Sequence, residues 1–316
     1  MAPLTRRKLL QISVVGALSA ALVQACVPVP SRVPATPTSS PTPEPASARI
    51  PYGVGFGANE LQPQTPAALG LASQAHLGWV RMGLYWQEIE PVPGQYTFDG
   101  YDALLAQARA NDLNVLAILA YSAQWCTTAP SDPTWNPTHY PPLDLSMWRG
   151  YVAAVVERYK GQIHHWEVWN EPDLAQFWSG SPGEYARLLG ETYRTIKQVD
   201  PTANVVLGGL AFMEQNGQPA STFLSQILAD PQYPAADNFD ITGVHFYGTP
   251  DQATAHLQEL TSTLARAGVA GRPVWVTEAG LPSDAALNSS GGVEGQARWL
   301  QATLPSLLAA GASRVL

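Results

Sequence analysis

From Pro51 onward the chain alternates short apolar runs with longer stretches in which apolar residues recur every three or four positions. The first pattern predicts buried strands, the second amphipathic helices. Strands are expected near Gly53–Gly57, Trp79–Leu84, Asn114–Leu119, Ile163–Trp169, Asn204–Leu207, Asp240–Phe246, Val274–Thr277 and Arg314–Leu316. Helices are expected between them, over Ala67–His76, Tyr101–Ala110, Leu145–Tyr159, Pro182–Gln198, Ser221–Ala229, Asp251–Ala267 and Val293–Leu308, with Asp99, Ser181 and Ser221 as candidate caps. Strands that alternate with helices imply a parallel sheet. Eight strands and seven helices imply an α/β fold, a (β/α)8 TIM barrel whose eighth strand has only opened when the sequence stops. A barrel closes its last strand onto its first, or leaves unpaired edges. The sequence is therefore expected to be a fragment lacking the end of strand eight.

Two of these strands run into a carboxylate. In Ile163-His164-His165-Trp166-Glu167-Val168-Trp169-Asn170-Glu171-Pro172, the residues Ile163, His165, Glu167 and Trp169 are expected on one face and His164, Trp166, Val168 and Asn170 on the other. Pro172 ends the run, since it cannot donate to a sheet ladder and pushes Glu171 towards extended geometry. Asn, Glu and Pro also suit a plain surface turn, but two Trp and a Val lead into the pair and imply a buried, rigid strand end. The second run, Pro273-Val274-Trp275-Val276-Thr277-Glu278-Ala279-Gly280, stops at a carboxylate 107 positions further on. Parallel barrels carry their catalytic groups at the C-terminal ends of the strands. Two carboxyls flanking a glycosidic bond are the working parts of glycoside hydrolysis.

Trp-Asn-Glu-Pro at 169–172 and Thr-Glu-Ala-Gly at 277–280 resemble the acid/base and nucleophile motifs of the clan of (β/α)8 retaining glycoside hydrolases. Family 39, β-xylosidase-like, is the nearest likeness, and family 5, cellulase-like, the next. Phe177-Trp178, Tyr185, Leu188-Leu189, Tyr193, Ile196-Lys197, Asp200-Pro201 and Gly208-Gly209 follow the family 39 spacing, and the likeness covers roughly residues 52–316. The resemblance implies that Glu171 is the acid/base and Glu278 the nucleophile. It implies that Asn170 binds the sugar 2-hydroxyl, and that His245 and Tyr247, in Val244-His245-Phe246-Tyr247-Gly248, line the site with the Tyr hydroxyl near the nucleophile. For His245 the bland alternative is a satisfied core histidine. Clan members also carry an aromatic at the tip of strand eight, which this sequence does not reach.

Arg81 lies in an otherwise apolar strand, where a cation is costly unless paired. The resemblance places such an arginine beside the nucleophile; a structural ion pair at the barrel's base is the equal alternative. Aromatics follow the strand tips, and flat apolar walls suit the C–H faces of sugars. For any single aromatic, core and loop packing is the bland reading; among Tyr85, Trp86, Tyr121, Trp125, Phe177 and Trp178, which follow strands two, three and four, Trp86 and Trp125 are the preferred candidates for substrate binding, while Glu88 and Glu90 are assigned to loop structure. His164 and His165 point to opposite faces of one strand and cannot converge on a metal. No phosphate-binding glycine loop and no Gly-x-Ser-x-Gly elbow occurs. No metal and no cofactor is expected.

The first 26 residues read as an export address. Thr5-Arg6-Arg7-Lys8-Leu9-Leu10 resembles a twin-arginine signal, an apolar segment follows, and Leu22-Val23-Gln24-Ala25-Cys26 resembles a lipoprotein cleavage box with Cys26 as the acylated residue. Residues 27–49, rich in Pro, Ser and Thr, have nothing to bury and are expected to be an extended tether. Residues 50–316 form the barrel domain. The net charge is −8, and without the three basic residues of the leader 14 basic residues stand against 25 acidic ones. That balance argues against a nucleic-acid partner. Cys126 is the only other cysteine, so no disulfide within the chain is expected if Cys26 is lipidated.

The expectation is a monomeric retaining glycosidase, β-xylosidase-like or endo-β-glycanase-like, that cleaves β-linked polysaccharides or oligosaccharides by double displacement. It would be exported, and either secreted or held at the outer face of the membrane by its lipid. The alternative is a non-catalytic carbohydrate-binding surface lipoprotein on a barrel scaffold.

Overall fold

Eight apolar runs become eight parallel strands in the computed structural model, which describes residues 51–55, 65–284 and 291–316. The leader 1–26 with its Cys26 and the linker 27–49 lie outside the described residues. In chain order the strands are β1 (Gly53–Gly55), β2 (Trp79–Tyr85), β3 (Asn114–Ala120), β4 (His165–Asn170), β5 (Asn204–Leu210), β6 (Ile241–Phe246), β7 (Val274–Ala279) and β8 (Arg314–Val315). Each pairs with the next in sequence order. The helices are α1 (Thr65–Gln74), α2 (Trp86–Ile89), α3 (Asp99–Ala110), α4 (Leu145–Tyr159), α5 (Pro182–Val199), α6 (Thr222–Leu228), α7 (Ala253–Arg266) and α8 (Gly292–Ala309). The single turn α2 is additional to the seven expected helices. The (β/α)8 architecture is as expected.

The short last strand still meets both neighbours. β8 pairs with β7, with Trp275 opposite Arg314 and Val276 opposite Val315. On its other side Val315 bridges Tyr52, and its N–H donates to the Pro51 carbonyl at 2.8 Å. Among the described residues Val315 thus carries the backbone link between β8 and the start of β1.

Helix starts follow local chemistry only in part. Ser181 forms a full capping box with Glu184 at the start of α5, with Pro182 in the first turn. Asp99 is the first residue inside α3 and caps nothing, since Phe98 precedes the helix, and Ser221 makes no side-chain cap bond. Asp144, not anticipated, caps α4 by accepting from Ser146 N–H at 2.7 Å.

Burial on both faces explains why the strands read as continuous apolar runs. One shell lies between sheet and helices and includes Val80, Met82, Leu84, Trp148, Trp166, Val168 and Tyr185. A separate cluster plugs the barrel's N-terminal end: Trp79, Leu116, Val206, Ile241, Trp275 and Leu316. His165 stacks on Trp275 at 4.9 Å and meets Trp79 edge-on at 5.0 Å, and the Arg314 guanidinium covers both indoles at 4.8 and 4.3 Å. Burial, then the Arg314 charge, pushes the His165 pKa down to about 3.

Strand β4 departs from simple alternation at its tip. His165 and Glu167 face the barrel interior, as the period of two requires. Trp169 was expected on that same face but lies in the outer shell, against Trp148 at 5.9 Å and Trp178 at 4.9 Å. Its φ of 70° turns the chain by one position and delivers Asn170 inward. Glu171 follows at φ 43°, also left-handed. Non-glycine residues held there cost on the order of 1–3 kcal/mol each. Gly208 on β5 permits the arrangement, since a Cβ at that position would lie 2.3 Å from the Val168 carbonyl oxygen.

Candidate active site

Above the aromatic floor the interior turns polar. Arg81, 2% exposed, reaches in from β2 and uses three of its nitrogens on three partners. Nε donates to Glu167 Oε2 at 2.6 Å, Nη1 to Glu278 Oε1 at 2.7 Å and Nη2 to Asn170 Oδ1 at 2.9 Å. Burial opposes the Arg81 charge, but Glu167 and then Glu278 outweigh it and raise its pKa above the ordinary arginine value. Arg81 is thus half of a buried ion pair with Glu167 and also touches the β7 carboxylate, and it does so above the floor, not at the barrel's base.

Glu278 sits at the mouth with both oxygens engaged, Oε1 by Arg81 and Oε2 by the Tyr247 hydroxyl. Burial on its own would raise the Glu278 pKa. The charges of His245 and Arg81, together with the Tyr247 hydrogen bond, reverse that and hold it at about 2. Glu171 is nearly fully buried, and its N–H donates to the Gly209 carbonyl at 3.0 Å. His245, from β6, spans the two acids, with Nδ1 2.9 Å from Glu171 Oε1 and 3.5 Å from Glu278 Oε2. One oxygen of Glu171, one of Glu278 and a His245 nitrogen all lie within 4.8 Å of one another.

The site depends on close approach to β5. A Cβ at Gly209 would fall 2.2 Å from His245 Nε2 and 2.5 Å from Thr277 Oγ1, so only glycine admits both side chains. His245 Nε2 is buried there without a hydrogen-bond partner. Nδ1, on the other side of the ring, faces the two carboxylates.

Six of the expected residues, Glu171, Glu278, Asn170, His245, Tyr247 and Arg81, come together at this mouth. Trp86 does not join them. Trp86 is fully buried, stacked on Tyr151 at 5.5 Å and edge-on to Trp148 and Trp125, with Nε1 donating to Glu90 at 2.6 Å. It has no open face for a sugar, and the expected role is corrected to core packing. The early turn of α2 is the reason, because it carries Trp86 sideways into the outer shell. Trp125 is half-buried, and its indole N–H donates to the Glu90 carbonyl at 2.9 Å. Glu88 and Glu90 serve loop structure as expected: Glu88 accepts from Tyr101 and Glu90 from Gly94 N–H.

Three residues at the site escaped the sequence reading. Glu167 is fully buried beneath the mouth and accepts from Arg81, from Gly209 N–H at 2.7 Å and from Thr277 Oγ1 at 3.0 Å. Tyr121, noted only as one of several aromatics, has Asn170 as a hydrogen-bond partner and stacks on Tyr85 at 5.8 Å; burial raises its pKa. Asp173 accepts from Ala211 and Phe212 N–H at 2.9 and 2.8 Å and so ties the loop after Glu171 to the end of β5. For Glu167 a signal existed: an acid on the inward face of a buried strand needs a buried donor.

Comparison with known proteins agrees with this geometry. Residues 51–307 match the family model for cellulase, glycosyl hydrolase family 5. The chain is 32% identical over 158 residues to a β-xylosidase of Geobacillus stearothermophilus, covering 45% of this chain and 30% of that protein. It is 26% identical over 191 residues to endo-1,4-β-xylanase A of Phanerodontia chrysosporium, covering 58% of this chain and 44% of that protein. The chain thus spans less than half the length of these two relatives. A family 39 β-xylosidase structure from Caulobacter crescentus superposes with a TM-score of 0.66 over 86% of this chain and 62% of that one, at 18% identity, a likeness of fold. By the family model, which matches residues 51–307 and so most of its length, the chain belongs to the cellulase family, glycosyl hydrolase family 5, within the clan of (β/α)8 glycoside hydrolases.

Proposed function

We propose that the protein is a retaining glycosidase acting on β-linked, xylan-type polysaccharides or oligosaccharides. The observation that carries this reading is the approach of Glu171 and Glu278, whose nearest oxygens lie within 4.8 Å. Carboxyl pairs about 5–5.5 Å apart suit double displacement, whereas inverting pairs stand about 6.5–9.5 Å apart to admit a water. Family membership and the xylosidase and xylanase names of the relatives favour the substrate class.

In the first step Glu278 attacks the anomeric carbon while Glu171 gives its proton to the departing glycosidic oxygen. The bond to the aglycone breaks and a glycosyl ester on Glu278 forms. In the second step Glu171, now a carboxylate, takes a proton from water, whose oxygen displaces Glu278 from the anomeric carbon. The net result is hydrolysis with the β configuration kept. Arg81 and Tyr247 hold Glu278 ionised and aimed. His245, with Nδ1 facing both acids, links the group that loses a proton to the group that attacks. Asn170, steadied by Arg81 and Tyr121, is left to meet the sugar 2-hydroxyl. Acylation at Cys26 would tether this barrel at the outer face of the cell.

Aryl β-xylosides test the roles. Glu278→Ala lowers turnover by about 10⁵-fold, on the scale of losing a nucleophile. Azide then restores part of it by taking the place of the carboxylate, and the product is an α-glycosyl azide by NMR. Full activity in Glu278→Ala, or an α-configured first product from the unaltered protein, overturns the assignment.

A further inference from the structure

The proposed chemistry uses one face of the Arg81 guanidinium, and its other face is held by a residue with no part in that chemistry. Glu167 lies on β4 four residues before Glu171, one layer below the mouth, and is fully buried. Three donors from three other strands converge on it: Arg81 Nε from β2, Gly209 N–H from β5 and Thr277 Oγ1 from β7. A Cβ at Gly243 on β6 would lie 3.2 Å from Glu167 Oε1, so a fifth strand closes over it.

From these contacts we infer that Glu167 is a positioning residue, which locks the rotation of the Arg81 fork so that Nη1 meets Glu278 and Nη2 meets Asn170. The inference rests on the reading of Glu278 as nucleophile for its consequence, though not for its geometry. Arg81 presents a planar set of donors with fixed directions. Once Nε is bound, the guanidinium plane is set and the two remaining nitrogens have no freedom to choose partners. Only an acceptor-only group can satisfy a guanidinium, a backbone N–H and a hydroxyl together. An amide cannot: whichever way a glutamine side chain turned at this position, its NH₂ would face either Arg81 Nε–H or Gly209 N–H. The carboxylate is therefore required here for direction as well as for charge. The same strand that supplies the acid/base then also aims the cation that serves the nucleophile.

Glu167→Gln is the variant that separates this from simple support of the fold. Its crystal structure should show the Arg81 fork rotated, with the 2.7 Å contact to Glu278 and the 2.9 Å contact to Asn170 lost while the barrel is unchanged. On an aryl β-xyloside its kcat should fall about 10²-fold, the scale of an ångström of misplacement, with KM little altered. The loss should disappear when Arg81→Lys is already present, because Glu167 acts only through the fork. A structural role would lower the melting temperature and add to Arg81→Lys without cancelling. An unmoved fork, or additive kinetic losses, overturns the inference. Should Glu278→Ala prove fully active, the reading of the site falls while the position of the fork in Glu167→Gln still decides this one. If Glu167→Gln does not fold, Thr277→Val removes a single donor from Glu167. It should lower kcat a few-fold in the Arg81 background and not in Arg81→Lys; equal loss in both overturns the inference.

Discussion

The two ends of the barrel interior are built from the same strands and are opposite in character. At the floor, Trp79, Trp275, His165 and Arg314 stack as rings and a guanidinium, and the apolar cluster fills the space between them. At the mouth, Arg81, Glu167, Asn170, Glu171, His245 and Glu278 are linked by hydrogen bonds, backed by glycines, and two of the positions next to them or among them hold positive φ. The floor keeps its one imidazole neutral by burial. The mouth keeps a carboxylate ionised against burial. Packing is concentrated at one end, and unfavourable backbone and charge at the other, where chemistry can use them.

The comparison breaks most sharply at Glu171. Glu171→Gly should lower kcat/KM by about 10³–10⁴-fold on substrates with poor leaving groups, which need the proton most. It should leave stability equal or higher by about 1 kcal/mol, since glycine accepts φ 43° without penalty. Kinetics with aryl glycosides of graded leaving group, beside denaturant unfolding, read both effects; a variant that is both inactive and strongly destabilised would erase the contrast. Trp275→Ala is the mirror experiment. It should cost about 3–5 kcal/mol of unfolding free energy and leave kcat/KM of the folded fraction within about two-fold.

The smallest effect sharpens the picture through pH. His165 has a folded pKa below its unfolded one, so the unfolded chain binds the extra proton. Stability from its neutral burial is present above about pH 6.5 and drains away as pH falls towards about 3. Glu278, also depressed, contributes above its ordinary value of 4.5 and loses that contribution as pH falls towards about 2. Each slope is at most about 1.4 kcal/mol per pH unit. His165→Gln should flatten the upper window and Glu278→Gln the lower one in unfolding curves taken from pH 7 to 2.5. Identical slopes in all three proteins would refute the assignment of the two ends.

Much of this was legible in the sequence because burial on both faces leaves a direct trace. Runs such as Asn114–Ala120 are too short for a buried helix and read as buried strands, and the eight of them with helical stretches between point to the barrel. Both Glu motifs were legible because strand ends in parallel barrels converge in space. The failures have local causes. A helical turn that starts at once after β2 hides Trp86 from the mouth, and nothing in Tyr-Trp-Gln-Glu announces it. The left-handed Trp169 swaps the faces of Trp169 and Asn170, and period-two counting cannot anticipate a positive φ at a tryptophan. Glu167 signalled a buried donor but not which one, because its partners are Arg81, 86 positions away, Gly209 and Thr277.

The seam between Tyr52 and Val315 has its own consequence. Neighbouring strands elsewhere in the cylinder share ladders of up to seven residue pairs, as β2 and β3 do, whereas among the described residues first and last are joined by one bridge. A hoop yields at its thinnest rivet. In a chain of these 316 residues, amide deuterium uptake at Val315 should outrun that at Ile118.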